Sequence, residues 1–195
     1  MMRRLSNDRC TGNDYRQLFA TSAERLRWLC YMLTGNDELS EKLLHAALEQ
    51  SLKGADHVFR EWMLSWARRL IIRVCIETMR PHIAGITKSA YLLPPMRIEA
   101  IDPERLSDVL SLPAEVLQER LLPQDVLSRF VFVLRGLEGY SRRETSLLLN
   151  IDDRTCEWIY VRAAEAMEAD TEFTETSPIA GSANSTEYFL AQVGQ

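Results

Sequence analysis

Apolar residues recur at three- and four-residue intervals through the first 80 positions, where glycine and proline are scarce, and this periodicity predicts helices. The first covers about 14–33 and stops at Thr34-Gly35-Asn36, where Gly and Asn can take the left-handed conformation that ends a helix. The second covers about 38–52, with Leu44, Ala47, Leu48 and Leu52 on its buried face, and stops at Gly54. The third runs over about 59–79 and is closed by Pro81, which disfavours helical backbone in the residue before it.

Residues 81–121 change character, with Pro94-Pro95, Pro103 and Pro113, although Asp102-Pro103-Glu104 is a cap for a short helix to Leu110. This segment reads as an interdomain linker. A second helical unit follows at 122–169. Its opening helix, 124–137, aligns Val126, Phe130, Val133, Leu134 and Leu137 and ends at Gly139. Ser141-Arg142-Arg143-Glu144 then forms a capping box for a short helix to Leu149, and Asn150 supplies a left-handed turn. Asp152 or Asp153 caps a last helix whose inner face is Cys156, Ile159 or Tyr160, Ala163 and Met167. Two short helices joined this way suit a DNA-reading helix-turn-helix, and the same spacing occurs in ordinary helical bundles. Beyond them, 170–195 reads as a flexible acidic tail, with no basic residue after position 170. The expected fold is all-α: a three-helix unit at 14–80 and a helix-turn-helix unit at 122–169, joined by a proline-containing linker.

Composition agrees with a folded chain: 195 residues, 46% hydrophobic and 26% charged. No apolar run approaches the roughly 18 residues that span a bilayer. The start Met1-Met2-Arg3-Arg4 leads into polar Ser6-Asn7-Asp8, unlike a signal peptide, so a cytoplasmic protein without membrane contact is expected. Cys10, Cys30, Cys75 and Cys156 are far apart in sequence and read as reduced packing residues. The net charge of −5 is unevenly spread, with +3 over residues 1–80 and −8 over 81–195.

That asymmetry draws attention to the third helix. At 100° per residue, Trp62, Trp66, Arg69, Arg73 and Arg80 fall within about 60° of one another, beside an apolar stripe of Met63, Ala67, Leu70 and Val74. Guanidinium groups on this face can neutralise phosphates, and indoles can stack on unpaired bases for about 1–3 kcal/mol each. The alternative is that the tryptophans border the core and the arginines are simply solvated. The acidic tail is a candidate competitor for the same basic face in cis.

Catalytic and metal chemistry find little support. Glu41, His45 and Glu49 share one helix face, but nothing supplies the rest of a metal site. The chain has no Gly-rich phosphate loop, nucleophile elbow or HExxH pattern. Neither an enzyme, a metal nor a cofactor is expected.

The run Phe132-Val133-Leu134-Arg135-Gly136-Leu137-Glu138-Gly139-Tyr140, continuing Ser141-Arg142-Arg143-Glu144-Thr145-Ser146-Leu147-Leu148-Leu149-Asn150-Ile151, resembles the helix-turn-helix of region 4 of extracytoplasmic-function sigma factors. Asn36-Asp37-Glu38 through Leu52, followed by Phe59-Arg60-Glu61-Trp62-Met63-Leu64-Ser65-Trp66-Ala67-Arg68, resembles their region 2. The resemblance covers about 14–169 in the family's order. It implies binding to core RNA polymerase through Glu41, Lys42, Leu44, His45 and Leu48. It implies contact with melted promoter DNA through Trp62, Trp66, Arg69, Arg73 and Arg80. Contact with an upstream duplex element would fall to Arg142, Arg143, Arg154, Thr155, Trp158 and Arg162, and an anti-sigma protein would be a further partner.

The chain also departs from the family pattern. An acidic position is Lys42, a glutamine is His45 and a glutamate is Ala46, and reversing a charge at an interface penalises the original partner. In the last helix three basic positions are Glu157, Ile159 and Ala164, which removes phosphate contacts. Trp158 stands at an outward position, where it can touch protein, touch a base, or cover neighbouring apolar surface. Two functions therefore compete: a sigma-like initiation factor, and a degenerate sigma-like protein that regulates by binding protein, with weak or no DNA binding.

Overall fold

The computed structural model describes residues 9–54, 57–90 and 102–174. These residues form helices and turns, with one isolated antiparallel bridge between Arg9 and Phe59. Residues 91–101 of the predicted linker and most of the predicted tail (175–195) lie outside the described residues.

Where one helix is predicted over 14–33, the chain makes two, α1 (Gly12–Thr21) and α2 (Ala23–Thr34). The cause is local. The Thr21 hydroxyl donates back to the carbonyls of Gln17 (2.9 Å) and Leu18 (3.2 Å), and Ser22 leaves helical geometry at ψ 15°. Thr11 and Asp14 form a capping box that starts α1 earlier than the periodicity alone indicates. Gly35 ends α2 at φ 67°, and Asn36 caps α3 (Asp37–Lys53) through a 2.8 Å bond from the Leu39 amide.

The largest departure is at Pro81. A single 3-10 turn (Arg60–Trp62) leads into α4 (Met63–Ala90), which runs through the proline to Ala90. An interior proline removes one helical bond and costs about 3 kcal/mol. Tertiary packing offsets that cost, because Met79, Ile83 and Thr87 on either side of the proline are all buried.

The rest of the predicted linker is structured where it is described. Residues 102–121 form α5 (Pro103–Leu110), opened by Asp102, and α6 (Ala114–Leu121). Both pack on the last helix, and Val109, Leu117 and Leu121 join the core. Helix α7 (Val126–Phe132) widens into a π turn (Val133–Leu137) and stops at left-handed Gly139, φ 71°. The expected helix-turn-helix follows as α8 (Arg142–Leu149), Asn150 at φ 55°, and α9 (Asp153–Thr174). Asp152 is the cap of α9, accepting from the Thr155 amide at 2.9 Å. Cys156, Ile159, Tyr160, Ala163 and Met167 are all buried, as predicted.

The two halves do not stand apart. One buried apolar cluster contains side chains of both, since α7 packs on α2 and α4, and α8 packs on α4. Arg129 of α7 crosses this seam. Its guanidinium, 8% exposed, donates to Thr34 O at the end of α2 (3.1 Å) and to Leu122 O (3.0 Å) and Gln124 O (3.3 Å). Burial lowers its pKa from the ordinary arginine value, while the α2 carboxyl end, where helix carbonyls concentrate negative potential, is where a cation is best placed.

Gly35 is required twice here. A side chain there would be strained at φ 67°, and a Cβ would sit 2.8 Å from Arg129 Nη1. Gly35→Ala is expected to destabilise the fold by about 1–3 kcal/mol, read as a lowered urea midpoint by circular dichroism.

Candidate nucleic-acid interface

The basic and aromatic face predicted on the third helix exists on α4, but it does not look onto open solvent along its whole length. Trp62 sits in the 3-10 turn, 61% exposed and edge-to-face with Phe59 at 5.9 Å between ring centres. Trp66, Arg69 and Arg73 line a groove of about 470 Å³ whose opposite wall is Tyr140, Glu144, Leu147 and Leu148. Arg80 lies further along and borders a second cavity with Leu149, Asn150 and Ile151. Helix α8 therefore runs beside the face assigned to a separated strand. Arg73 is also occupied along its own helix, 3.3 Å from Glu77 and 3.3 Å from Gln50.

A two-bond ion pair ties α4 to the segment that leads into α8. Arg68, one residue before Arg69, donates from Nε to Glu138 Oε2 at 2.9 Å and pairs through Nη2 with the other carboxylate oxygen. Glu138 is 6% exposed at the side chain and follows the π turn. The bond to Glu138 raises the Arg68 pKa against the opposing effect of burial. Burial pushes the neighbouring Tyr140 phenol up, and Arg69 beside it partly opposes that shift.

On the helix-turn-helix, Arg142, Arg143, Arg154 and Arg162 are exposed. Arg142 is held at long range by Asp153 (3.7 Å) and Glu157 (4.0 Å), whereas Arg143 makes no ion pair among the described residues. Thr155 is half-buried, its hydroxyl donating to Asp152 Oδ2 at 2.6 Å, so its side chain serves the α9 cap. Trp158 is half-buried against the core, with the Arg162 guanidinium 5.6 Å from its ring centre. Glu157 accepts from Arg135 at 2.8 Å, and Arg135 in turn lies 4.1 Å over the Tyr160 ring. Its charge is thereby matched inside the unit.

The residues assigned to polymerase lie together on α3. Glu41, Lys42 and His45 are exposed, and Leu44 and Leu48 are half-buried against the core. Lys42 donates to Glu38 one turn back at 2.6 Å, and this bond holds the Glu38 carboxyl below its usual range. Glu41, His45 and Glu49 gain no further ligand, and no group of three or more His, Cys, Asp or Glu among the described residues is placed to hold a metal. The four cysteines are buried free thiols. Burial pushes Cys156 up to about 11, so it stays a thiol at neutral pH.

Sequence reasoning missed Arg68, Glu138, Arg129 and Arg135, which organise the site without facing outward. Arg129 had a visible signal: it falls on the apolar stripe of Val126, Phe130 and Val133, where a charge needs an internal partner.

No protein-family model matches this chain, and no curated protein matches it.

The α8 cap carries a pH signature. Bonds from the Ser141 hydroxyl (2.7 Å) and amide (2.9 Å) hold the Glu144 carboxyl below its ordinary value of 4.5. The stability this lends is present above pH 4.5 and is lost as pH falls through the lower folded value. Ser141→Ala is expected to lower the urea midpoint at pH 7, and the gap from the parent chain is expected to narrow in the acid range below pH 4.5.

Proposed function

We propose that this chain is a sigma-like transcription initiation factor, a binding protein rather than an enzyme, which engages core RNA polymerase and promoter DNA in the cytoplasm. The observation that carries the reading is the helix-turn-helix geometry of α8, Asn150 and α9, with Arg142, Arg143, Arg154 and Arg162 exposed around it. The exposed face of α3 supplies a polymerase contact, and Trp62, Trp66, Arg69 and Arg73 supply a surface for a separated strand. In this reading residues 14–80 bind polymerase and the separated strand, and residues 122–169 bind the upstream duplex element.

A second reading rests on a different observation. Phe59, Trp62, Leu64, Trp66, Leu147 and Leu148 are large apolar side chains left exposed, and apolar exposure of this kind marks contact surfaces. It favours a protein-binding regulator that keeps the fold and binds DNA weakly or not at all.

Gel filtration of the protein with core RNA polymerase at moderate salt separates them. Co-elution supports the initiation factor; a folded, helical protein that elutes alone supports the regulator. On duplex DNA containing its site, an initiation factor is expected to lose affinity steeply with salt. Arg143→Ala is expected to lower the salt slope by about one phosphate contact. Arg142→Ala is expected to cost less, because that guanidinium is already drawn toward Asp153 and Glu157. Equal affinity at low and high salt, with both variants unchanged, would remove DNA from the function.

A further inference from the structure

The two halves meet along α4 in two unlike ways. On one side α7 packs on α2 and α4 with Phe130, Val131 and Phe132 fully buried, and Arg129 bonds Thr34 O across the contact. On the other side α8 and the segment leading into it lie along α4 without filling the space between. Cavities of about 470, 470 and 480 Å³ follow one another from Leu64 to Thr87. Trp66 (39% exposed), Leu147 (72%) and Leu148 (38%) keep much of their surface in water. Close-packed interiors hold few voids larger than a water molecule, so parting α8 from α4 gives up few apolar contacts.

What holds this second side is polar. Glu138 pairs with Arg68 through both carboxylate oxygens, and Arg69, next along α4, stands beside the Tyr140 phenol and the Glu144 carboxylate. Segment 138–144 thus presents two carboxylates and a phenol to the part of α4 where a strand would present phosphates. A phosphate brought to Arg68 or Arg69 in this arrangement meets Glu138 and Glu144 at close range, and like charges so placed repel. Arg73 is taken up within its own half by Glu77 and Gln50.

We propose that segment 138–144 is an internal competitor for the separated strand: it occupies Arg68 and Arg69 while α8 lies on α4, and a strand binds only when the C-terminal half rocks on α7 and carries α8 away. Helices α5, α6, α7 and α8 all pack on α9, so the half moves as one body. The proposal rests on the initiation-factor reading for its strand, and gives that site a closed state and an open one.

The test uses the full chain with spin labels at His45→Cys on α3 and Leu147→Cys on α8, both exposed sites, the native cysteines being buried. Pulsed dipolar spectroscopy reads the separation, and fluorescence anisotropy with a labelled oligothymidylate reads strand affinity in unlabelled chains. The parent chain is expected to give one dominant separation that lengthens as the strand is added. Glu138→Gln and Arg68→Gln, which break the pair from either side, are expected to show the longer separation without a strand; their charge changes are opposite, so a shift shared by both is not a charge effect. Glu138→Gln is expected to bind the strand up to about tenfold more tightly, the gain when an open fraction of about one tenth becomes the majority. Glu61→Gln, which removes an exposed acid beside Trp62 without touching the pair, is expected to stay close to the parent. Strand binding at an unchanged separation overturns the proposal, as does a gain in Glu138→Gln no larger than in Glu61→Gln. So do separations that stay at the parent value in both pair variants while circular dichroism shows them folded. Absence of binding in every variant is instead the failure of the strand reading on which the proposal rests.

Discussion

The buried guanidinium of Arg129 is the constraint around which the two halves are arranged. A cation at that depth needs acceptors, and three backbone carbonyls receive its two terminal nitrogens, one of them from the far half, while its Nε has no hydrogen-bond partner among the described residues. That requirement dictates the end of α2: the helix must stop at Thr34 so that its carbonyl is available, and the next residue must be Gly35 so that the guanidinium has room. From there the placement of α7 against α2 and α4 follows, and with it the position of the π turn and of Glu138 opposite Arg68.

The seam gives the candidate interface its particular form. A face of α4 that would be a freely solvated strip on a separate three-helix unit becomes one wall of a groove, with the capping-box helix α8 as the other. The same residues that read as contacts for a separated strand, Trp66, Arg69 and Arg73, are thus tied to the position of the helix-turn-helix. Pairing of Glu157 with Arg135 ties α9 to the π turn in the same way.

Much of this was legible in the sequence, and the reasons are local. The Ser141/Glu144 box, left-handed Gly35, Gly139 and Asn150, and the buried face of α9 are set by residues a few positions apart, so spacing reveals them. The extents of α1, α2 and α4 were not. The break at Ser22 depends on back-bonding by Thr21, and continuation through Pro81 depends on Ile83 and Thr87 finding a core that no short window contains. The short helix opened by Asp102-Pro103 was legible from its cap, but the linker reading of 81–121 took Pro81 and Pro113 as punctuation, whereas a helix runs through Pro81 and another starts at Pro113. The candidate site was legible as a set of residue types but not as a place, because the pairing of Arg68 with Glu138 joins positions 70 apart.

Those long separations also set an order of assembly. The contact between Arg129 and Thr34 closes a loop of 95 residues, and closing loops of that size is slow compared with forming the helices on either side. During synthesis α2, α3 and α4 emerge well before α7 exists, so the carbonyl end of α2 and the apolar faces that α7 will cover meet water first. The N-terminal half must therefore hold its shape alone for a time, and the Thr11/Asp14 capping box, the left-handed stop at Gly35 and the Asn36 cap written into its short-range sequence are the means by which it does so.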